Sequence, residues 1–321
     1  MSPTIRKVAV LGVTGQQGGA VAAALLERGV QVLGITRNPD SDKAQALASK
    51  PHMTVTKGDL NDVDSLKAAF KGCDGAFIVS TFQWGVDDVG VEMQHYKNAA
   101  DALKATHTIR HVVFPTLEES VIPGVTDDFK PSHEHKETGN MFIPRFDGKA
   151  RSEKYFDGLP TTFLYNSCFF ENFKTIYKLH GSEDGTYSFW LPLEKDEKMP
   201  FTILPDLGTL VASAFLQPDK VIGKRIGQAS FYATGEELAG ILTKVTGKTI
   251  KFNTLPRKTL VESDENPHMI EFGQMFELWH RKFDEFSGSR QIQAQEELMG
   301  RKVIDPVEYG KTFADKIAFQ N

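Results

Sequence analysis

Three glycines near the amino terminus have a spacing that suits phosphate binding. Gly12, Gly15 and Gly18 directly follow a short apolar run, residues 7–11, and precede an alanine-rich segment. At such a strand-to-helix turn, backbone N–H groups and the helix dipole favour negative charge, and glycines let the backbone approach it closely. The pattern predicts a site for a dinucleotide pyrophosphate, formed by Gly12, Val13, Thr14, Gly15, Gln16, Gln17 and Gly18.

The second candidate is an arginine that follows the next predicted strand. Sites for NAD usually carry Asp or Glu here, which accepts a hydrogen bond from the ribose 2′-hydroxyl. Arg37 offers instead a guanidinium that suits a 2′-phosphate. One charge-assisted bond contributes roughly 1.5–3 kcal/mol, so we expect about a tenfold to hundredfold preference for NADP over NAD. The alternative for Arg37 is a solvated surface cation.

Further candidates follow the third and fourth predicted strands. Ligands of a parallel sheet lie beyond the carboxyl ends of its strands, where these residues are expected. Asp59 is a candidate acceptor for the adenine amino group, although Gly58 and Asp59 also suit a plain turn. Ser80, Thr81 and Phe82 are candidates to line the ribose and nicotinamide.

Alternating strands and helices in the first half of the chain must position these candidates. We predict strands over residues 7–11, 31–35, 53–56, 75–79, 111–114 and 161–165, and helices over 20–28, 42–49, 62–71, 91–105 and 147–156. Apolar strands joined by helices run parallel and are covered on both faces. The predicted fold class is therefore α/β, with a Rossmann-type doubly wound parallel sheet.

The second half of the chain is less regular and suits a smaller mixed α/β C-terminal lobe. We predict a hairpin or loop at 181–190 and helices over 207–216, 234–244 and 267–286. The polar segment 118–144 is interpreted as an irregular excursion. The predicted domains are a Rossmann domain of residues 1–165, with returns from about 200–230, and a substrate or partner lobe of residues 166–200 and 230–321.

Three other features receive structural interpretations. His133 and His135 have no third ligand at a readable spacing, so no metal site is predicted. Cys73 and Cys168 are too few for a disulfide framework, and Cys168 is interpreted as a buried, inert thiol. An apolar stripe at helical spacing is interpreted as core instead of a ligand site; it comprises Met269, Phe272, Met275, Phe276 and Trp279.

Composition excludes several classes of function. The chain has 321 residues, of which 40% are hydrophobic and 25% charged, and its formal net charge is −5. This balance excludes binding to nucleic acid or to an anionic membrane by charge alone. No apolar run approaches the ~20 residues of a membrane helix, and no signal peptide is visible. We therefore expect a cytoplasmic or nucleocytoplasmic protein.

The longest motifs resemble the NmrA-like family, whose members are atypical short-chain dehydrogenases/reductases. The resemblance begins with VAVLGVTGQQGGAVAAALLERG and continues in ITRNP, KGDLND and FIVSTFQW. It extends through FDGK at 146–149 and CFFEN at 168–172, and the NADPH redox-sensor type of the family is the most similar.

This resemblance implies both a set of contacts and a mode of action. Several members of the family bind the dinucleotide without turning over a substrate and report the NADP(H) state of the cell to protein partners. The implied NADP(H) contacts are residues 12–17, Arg37, Asp59, Leu60, Ser80, Thr81, Phe82, Lys149, Phe169, Phe170, Glu171 and Asn172.

Lys149 raises the question of catalysis. Typical enzymes of the superfamily use Tyr-x-x-x-Lys, in which the lysine lowers the tyrosine pKa so that the phenol can transfer a proton. The position four residues before Lys149 holds Arg145, which keeps its proton at any useful pH. The serine that usually follows the fifth strand is replaced by Thr116. An acid of the usual kind is therefore missing from the pattern.

These observations predict an NADP(H)-binding, redox-sensing regulator whose cofactor occupancy controls its conformation, a homodimer or a protein partner. The alternative is an NADPH-dependent oxidoreductase of a quinone, carbonyl or alkene, in which Lys149 or Tyr155 assists proton transfer. Spacing on a helix turns Tyr155 away from Lys149, so a core position is favoured for it. A pocket for a small planar substrate would come from Phe82, Trp84, Phe169, Phe170, Tyr187 and Trp190, which also suit a lobe core.

Overall fold

The computed structural model of the chain describes residues 5–80, 88–135, 139–262 and 266–320. The strands are β1 (Lys7–Leu11), β2 (Gln31–Thr36), β3 (Met53–Lys57), β4 (Gly75–Phe77), β5 (His111–Thr116), β6 (His133–His135), β7 (Gly139–Met141), β8 (Thr161–Tyr165), β9 (Cys168–Phe169), β10 (Leu179–Gly181), β11 (Tyr187–Leu191), β12 (Met199–Thr202), β13 (Arg225–Gly227), β14 (Phe231–Ala233), β15 (Ile250–Thr254) and β16 (Phe319–Gln320). The helices are α1 (Gln16–Glu27), α2 (Asp42–Ala48), α3 (Val63–Phe70), α4 (Val89–Lys104), α5 (Pro144–Ser152), α6 (Leu204–Leu216), α7 (Pro218–Val221), α8 (Gly235–Thr246), α9 (Arg257–Val261), α10 (Pro267–Arg281), α11 (Phe283–Ser289), α12 (Ile292–Met299) and α13 (Pro306–Lys311).

Seven parallel strands form the main sheet, in the order β13-β8-β5-β4-β1-β2-β3. The order reverses at β1, as in a doubly wound sheet, so the carboxyl ends of β1 and β4 flank a crevice. Helices cover both faces, and the central strands are almost fully buried. The predicted Rossmann-type α/β class is confirmed.

Several predicted boundaries are wrong, and one of the errors concerns the site. Helix α1 begins at Gln16 and not at residue 20, because Gly15 takes the N-cap position with φ −83° and ψ 176°. The first turn of the helix therefore opens directly onto the glycine turn. Helix α5 begins at Pro144 and not at residue 147, since proline suits the first helical position. The predicted helix 267–286 is two helices, α10 and α11.

The chain returns to the nucleotide-binding half after residue 200. Strand β13 pairs with β8 at the sheet edge, and α6 packs along α1. Gly208 permits this packing, because a Cβ there would lie 2.4 Å from the carbonyl oxygen of Ala20. The two-domain division proposed from the sequence stays a prediction.

Besides the two-stranded sheet of β6 and β7, two small sheets surround an aromatic core. One sheet has the order β15-β11-β10-β16 and the other β14-β12-β9. The predicted hairpin at 181–190 is observed as the antiparallel pair β10 and β11. A capping box starts α8, since Thr234 and Glu237 bond each other's backbone N–H. The core between the sheets includes Phe170, Phe173, Phe189, Phe201 and Phe231.

Among the described residues, no helix combines the length and apolar character needed to cross a bilayer. No group of three or more His, Cys, Asp or Glu side chains in the same part of the chain could hold a metal ion.

We predict that Gly208→Ala destabilises the protein by about 1–3 kcal/mol, because the added methyl forces α6 away from α1. Gly240→Ala is the matched control, since Gly240 also lies inside a helix but a Cβ there would meet nothing within 4 Å. That control should be neutral or stabilising, by up to about 1 kcal/mol. Urea unfolding of both variants measures the difference. Equal stability of the two would contradict the packing argument.

Candidate functional site

The glycine turn has the conformation that phosphate binding requires. Gly12 has φ +61°, in the left-handed region, and its carbonyl accepts from Gly15 N at 2.8 Å. A Cβ on Gly18 would lie 2.4 Å from the Gly12 oxygen and 2.9 Å from that of Leu11. Because Gly18 has no side chain, α1 can start against the end of β1. No described side chain caps the first turn of α1, and that turn contains no acidic residue, so its N–H groups and dipole favour an anion.

The residues at the ends of β2 and β3 lie beside this turn. Arg37 directly follows β2 and is exposed. Asp59 is half-buried, and its Oδ1 accepts from the backbone N–H of Asn61 at 2.9 Å, so it does form a turn. Leu60 is buried in the core, and its carbonyl accepts from Asn98. The dinucleotide contacts of these residues stay predictions.

A hydrogen-bonded cluster lies at the end of β4. Glu92 on α4 accepts from Ser80 Oγ and, at 3.0 Å, from the Tyr96 hydroxyl. Lys149 on α5 pairs with the same carboxylate at 2.8 Å. Gly148 allows this approach, since a Cβ there would lie 2.4 Å from a Val89 methyl on α4. The cluster thus joins the end of the sheet to two helices.

This cluster does not supply the missing acid. Burial and the Glu92 carboxylate raise the pKa of Tyr96 well above its usual value. Lys149 pairs with Glu92, and this carboxylate offsets the lysine charge that would otherwise lower the pKa of a nearby phenol. Tyr155 packs against the core beneath the sheet, as the sequence favoured. Thr81, Phe82 and Trp84 lie outside the described residues.

A cavity of about 350 Å³ lies between the two halves of the structure. The nucleotide-binding half contributes polar groups to it, including Gln17, Ser80, Thr116 and Lys149. The other half contributes mainly apolar and aromatic side chains: Phe169, Tyr177, Met199, Met275, Phe276 and Trp279. The volume lies within the range of small-molecule sites, ~300–1,000 Å³.

Two further ion pairs lie at this cavity. Arg145 Nε donates to Glu271 on α10 at 2.8 Å, which links α5 to the second half of the chain. Arg290 forms a two-pronged pair with Glu118, its Nη2 lying 2.9 Å from Oε2. Arg290 also donates to the Ser167 hydroxyl at 3.0 Å, and its side chain is only 2% exposed. The segment after α11 is thereby held against the end of β5.

The residues predicted after β8 separate into two groups. Phe169 and Asn172 line the cavity. Phe170 instead packs in the aromatic core, and Glu171 is fully buried, with its Oε1 accepting from Tyr309 at 2.6 Å and from Leu204 N at 3.0 Å. Neither of these two side chains is part of the cavity lining.

The suggested planar pocket needs a correction. Tyr187 and Trp190 lie on β11 in the outer sheet, where they contact Phe319 and His180. The stripe that was interpreted as core alone has a second role, because Met275, Phe276 and Trp279 also form a wall of the cavity. The sequence could not separate these roles, since apolar spacing on a helix is the same for a core face and a pocket wall.

Cys168 also lies at the cavity, with Sγ 3.4 Å from the Tyr177 hydroxyl. Burial raises the pKa of the Cys168 thiol to about 11. The thiolate is the reactive form, so the raised pKa agrees with an inert thiol, although Cys168 is half-buried instead of buried as the sequence predicted.

One orphaned polar atom bears on whether a dinucleotide fits. Asn166 donates to Gln17 in the glycine turn at 3.1 Å, while its buried Oδ1 has no hydrogen-bond partner among the described residues. An amide-bearing ring in the cavity would supply a donor to that atom. The open helix terminus, the exposed guanidinium and this acceptor form a set of groups that suits a phosphorylated nicotinamide dinucleotide.

Comparison with known proteins places the chain in a family. The profile of the NmrA-like family matches residues 4–309. The chain belongs to the NmrA-like family. It is 28% identical over 302 residues to the NmrA-like family domain-containing oxidoreductase lnbB of Aspergillus flavus, over 85% of each protein. The resemblance seen in the sequence motifs is thus confirmed.

Solved structures share the fold of this NmrA-like chain. NmrA, a negative transcriptional regulator in complex with NADP, superposes with a TM-score of 0.74 at 21% identity, over 96% of this chain and 95% of that one. The NADPH-dependent quinone oxidoreductase QOR2 from Escherichia coli, complexed with NADPH, superposes with a TM-score of 0.68 at 21% identity, over 95% and 99% of the two chains.

Sequence reasoning missed the acidic partners at the cavity of this NmrA-like chain. Glu92, Glu118 and Glu271 lie 57, 172 and 126 positions from the cations that they face. No local motif connects such distant residues. The sequence did show that Arg145 and Lys149, four positions apart, share one face of a helix. If that face is buried, each of the two cations needs an acidic partner.

The helix that carries both cations is held by a buried carboxylate. Asp147 accepts from Ser120 N and Oγ, each at 2.6 Å, and from Phe142 N at 3.0 Å. These bonds fasten the excursion to the first turn of α5. Burial and the neighbouring Glu119 raise the pKa of Asp147 from 3.8 to about 7.

We predict a pH-dependent contribution of Asp147 to stability. The folded state holds the proton more tightly than the unfolded state, so this contribution is full below about pH 4 and is lost as the pH rises through about 7. Asp147→Asn should flatten that fall, although it weakens the bonds to Ser120. The free energy of unfolding at several pH values, measured with urea, gives the slope. Asp127→Asn, an exposed carboxylate of the same excursion, should keep the wild-type slope. An identical slope in Asp147→Asn would refute the assignment.

Proposed function

We propose that this chain binds NADP(H) across the glycine turn and the end of β2, and acts as a regulator that responds to its occupancy. The observation that carries the first part is the unobstructed start of α1, where Gly12 and Gly18 bring N–H groups to the surface. The NADP and NADPH complexes of its structural neighbours support it. When bound, the dinucleotide would place a hydride donor or acceptor at the cavity. Lys149, Ser80 and Asn166 would then hold its nicotinamide half.

We predict that Arg37→Gln weakens NADPH binding by about tenfold to hundredfold, because it removes a charge-assisted bond to the 2′-phosphate. NADH binding should change little, since NADH lacks that phosphate. Isothermal titration calorimetry with both nucleotides measures the two affinities. Arg6→Gln is the matched control. Arg6 is also exposed, but it precedes β1 and so lies at the amino ends of the parallel strands, opposite the expected ligand site. Equal loss of NADPH and NADH affinity, or no loss of either, would remove Arg37 from the site.

The proposal of a regulator instead of an enzyme rests on the ion pairing of Lys149 and Arg145 and on the pKa of the neighbouring tyrosine. Lys149 and Arg145 are both paired with buried glutamates, and the pKa of Tyr96 is raised instead of lowered. Among the described residues of the cavity, therefore, no tyrosine is activated by a lysine. A site that binds a dinucleotide without that acid is suited to reporting occupancy.

The cavity also gives occupancy a route to conformation. Its walls come from both halves of the chain, so a ligand that contacts both stabilises one arrangement of the halves over others. By reciprocity, a protein partner or second subunit that prefers that arrangement tightens nucleotide binding by the same factor.

We predict that saturating NADPH slows amide hydrogen exchange in α10, beyond the nucleotide-binding half, and shifts the association state seen by sedimentation. Arg37→Gln at the same NADPH concentration is the control for occupancy and should show neither effect. If NADPH binds but leaves both exchange in α10 and the association state unchanged, the regulatory proposal fails.

An NADPH-dependent reductase is the second candidate, favoured by the aromatic side chains that line the same cavity as Lys149. In that case Lys149 would hold or donate the proton, since its Nζ lies at the cavity beside Glu92. NADPH oxidation with a panel of quinones and carbonyls distinguishes the two. Turnover that Lys149→Ala abolishes while NADPH still binds would establish the reductase.

A further inference from the structure

The charges that line the cavity are compensated in pairs. Three cations reach it, and each faces a glutamate whose side chain is at most 10% exposed. The pairs are Lys149 with Glu92, Arg145 with Glu271, and Arg290 with Glu118. Over these described residues the net charge is zero. The cations at the cavity are therefore already paired with carboxylates of the protein itself.

The partner of Arg145 differs from the other two glutamates in its position. Glu92 and Glu118 line the cavity. Glu271, on α10, is not among the lining residues and pairs with Arg145, which is. Without its charge the lining would carry one excess positive charge. Glu271 also accepts from the backbone N–H of Arg145 at 3.2 Å, which fixes the carboxylate against the start of α5.

Arg145 is also the cation best placed to meet a ligand in the apolar part of the cavity. The Arg290 side chain is only 2% exposed and both of its terminal nitrogens bond Glu118, while Lys149 is assigned to the nicotinamide half. The Arg145 side chain is 21% exposed and lies near Tyr177, whose pKa its charge lowers in part against the effect of burial. Phe276 and Trp279 line the same cavity.

We propose that this cavity selects neutral, planar aromatic ligands over anionic ones, and that Glu271 sets the selectivity by neutralising Arg145. The inference deepens the proposed function, since it assigns a ligand class to the cavity beside the nicotinamide, and rests on it to that extent. Flat rings match the aromatic wall, whereas an anion would have to approach carboxylates that already hold the cations, without gaining a new partner.

The test uses two ligands of nearly equal shape that undergo no redox reaction, 2-naphthamide and 2-naphthoate. At neutral pH the first is uncharged and the second is an anion. Calorimetric titration of the full chain, with and without NADP⁺, gives the ratio of their dissociation constants. The wild-type protein should bind 2-naphthamide at least about tenfold more tightly, the loss expected when a charged group gains no partner.

Glu271→Gln keeps the shape of the side chain and removes the carboxylate charge that pairs with Arg145. It should shift the ratio toward 2-naphthoate by about tenfold to hundredfold. Glu277→Gln is the matched control on the same helix, because Glu277 pairs with Arg257 and Arg281 away from the cavity. The double variant Arg145→Gln with Glu271→Gln should restore the wild-type preference, which a general disturbance of the fold would not do.

Three results would overturn the inference. The first is that the wild-type protein binds 2-naphthoate as tightly as 2-naphthamide. The second is that Glu271→Gln leaves the ratio of the two dissociation constants unchanged. The third is that the wild-type protein binds neither compound. Failure of the proposed function gives a different result: the selectivity is then present without NADP⁺, while the chain takes up no nucleotide.

Discussion

Burial of carboxylates is the constraint on which the cavity depends. A charge removed from water needs partners, and breaking such a pair by removing one member is costly because the other stays buried. Glu92, Glu118 and Glu271 each meet this need with a cation, and Asp147 meets it with backbone and hydroxyl donors. The positions of α5, α10 and the segment after α11 are linked by these requirements.

The same pairs connect the two halves of the chain. Arg145 and Glu271 join α5 to α10, and Arg290, just after α11, pairs with Glu118, two residues after β5. Charged pairs need defined geometry, while apolar surfaces tolerate sliding. Under the proposed function, a ligand in the cavity would compete with or add to these contacts and so favour one arrangement of the halves.

Proteins that are similar to this chain have different functions: NmrA, which shares its fold, is a negative transcriptional regulator, and lnbB is an oxidoreductase. Fold does not decide between them; the groups at the site do. In this chain the difference from typical enzymes of the superfamily lies at one position, four residues before Lys149. A helix that carries a phenol in typical enzymes of the superfamily carries a guanidinium here, and α10 supplies the carboxylate that this guanidinium requires.

The sequence by itself determined the parallel sheet, the glycine turn, the place of Arg37 and the family. These features follow from local periodicity, from glycine spacing and from the rule that ligands lie at the carboxyl edge of a parallel sheet. Only the tertiary structure showed the cavity and which residues line it. The partners of Arg145, Lys149 and Arg290 lie 57 to 172 positions away in the chain. Spacing also could not show that Met275 and Trp279 face a cavity while Phe170 faces the core. Charge compensation and wall formation arise between elements that meet only after the chain has folded, so no local pattern encodes them.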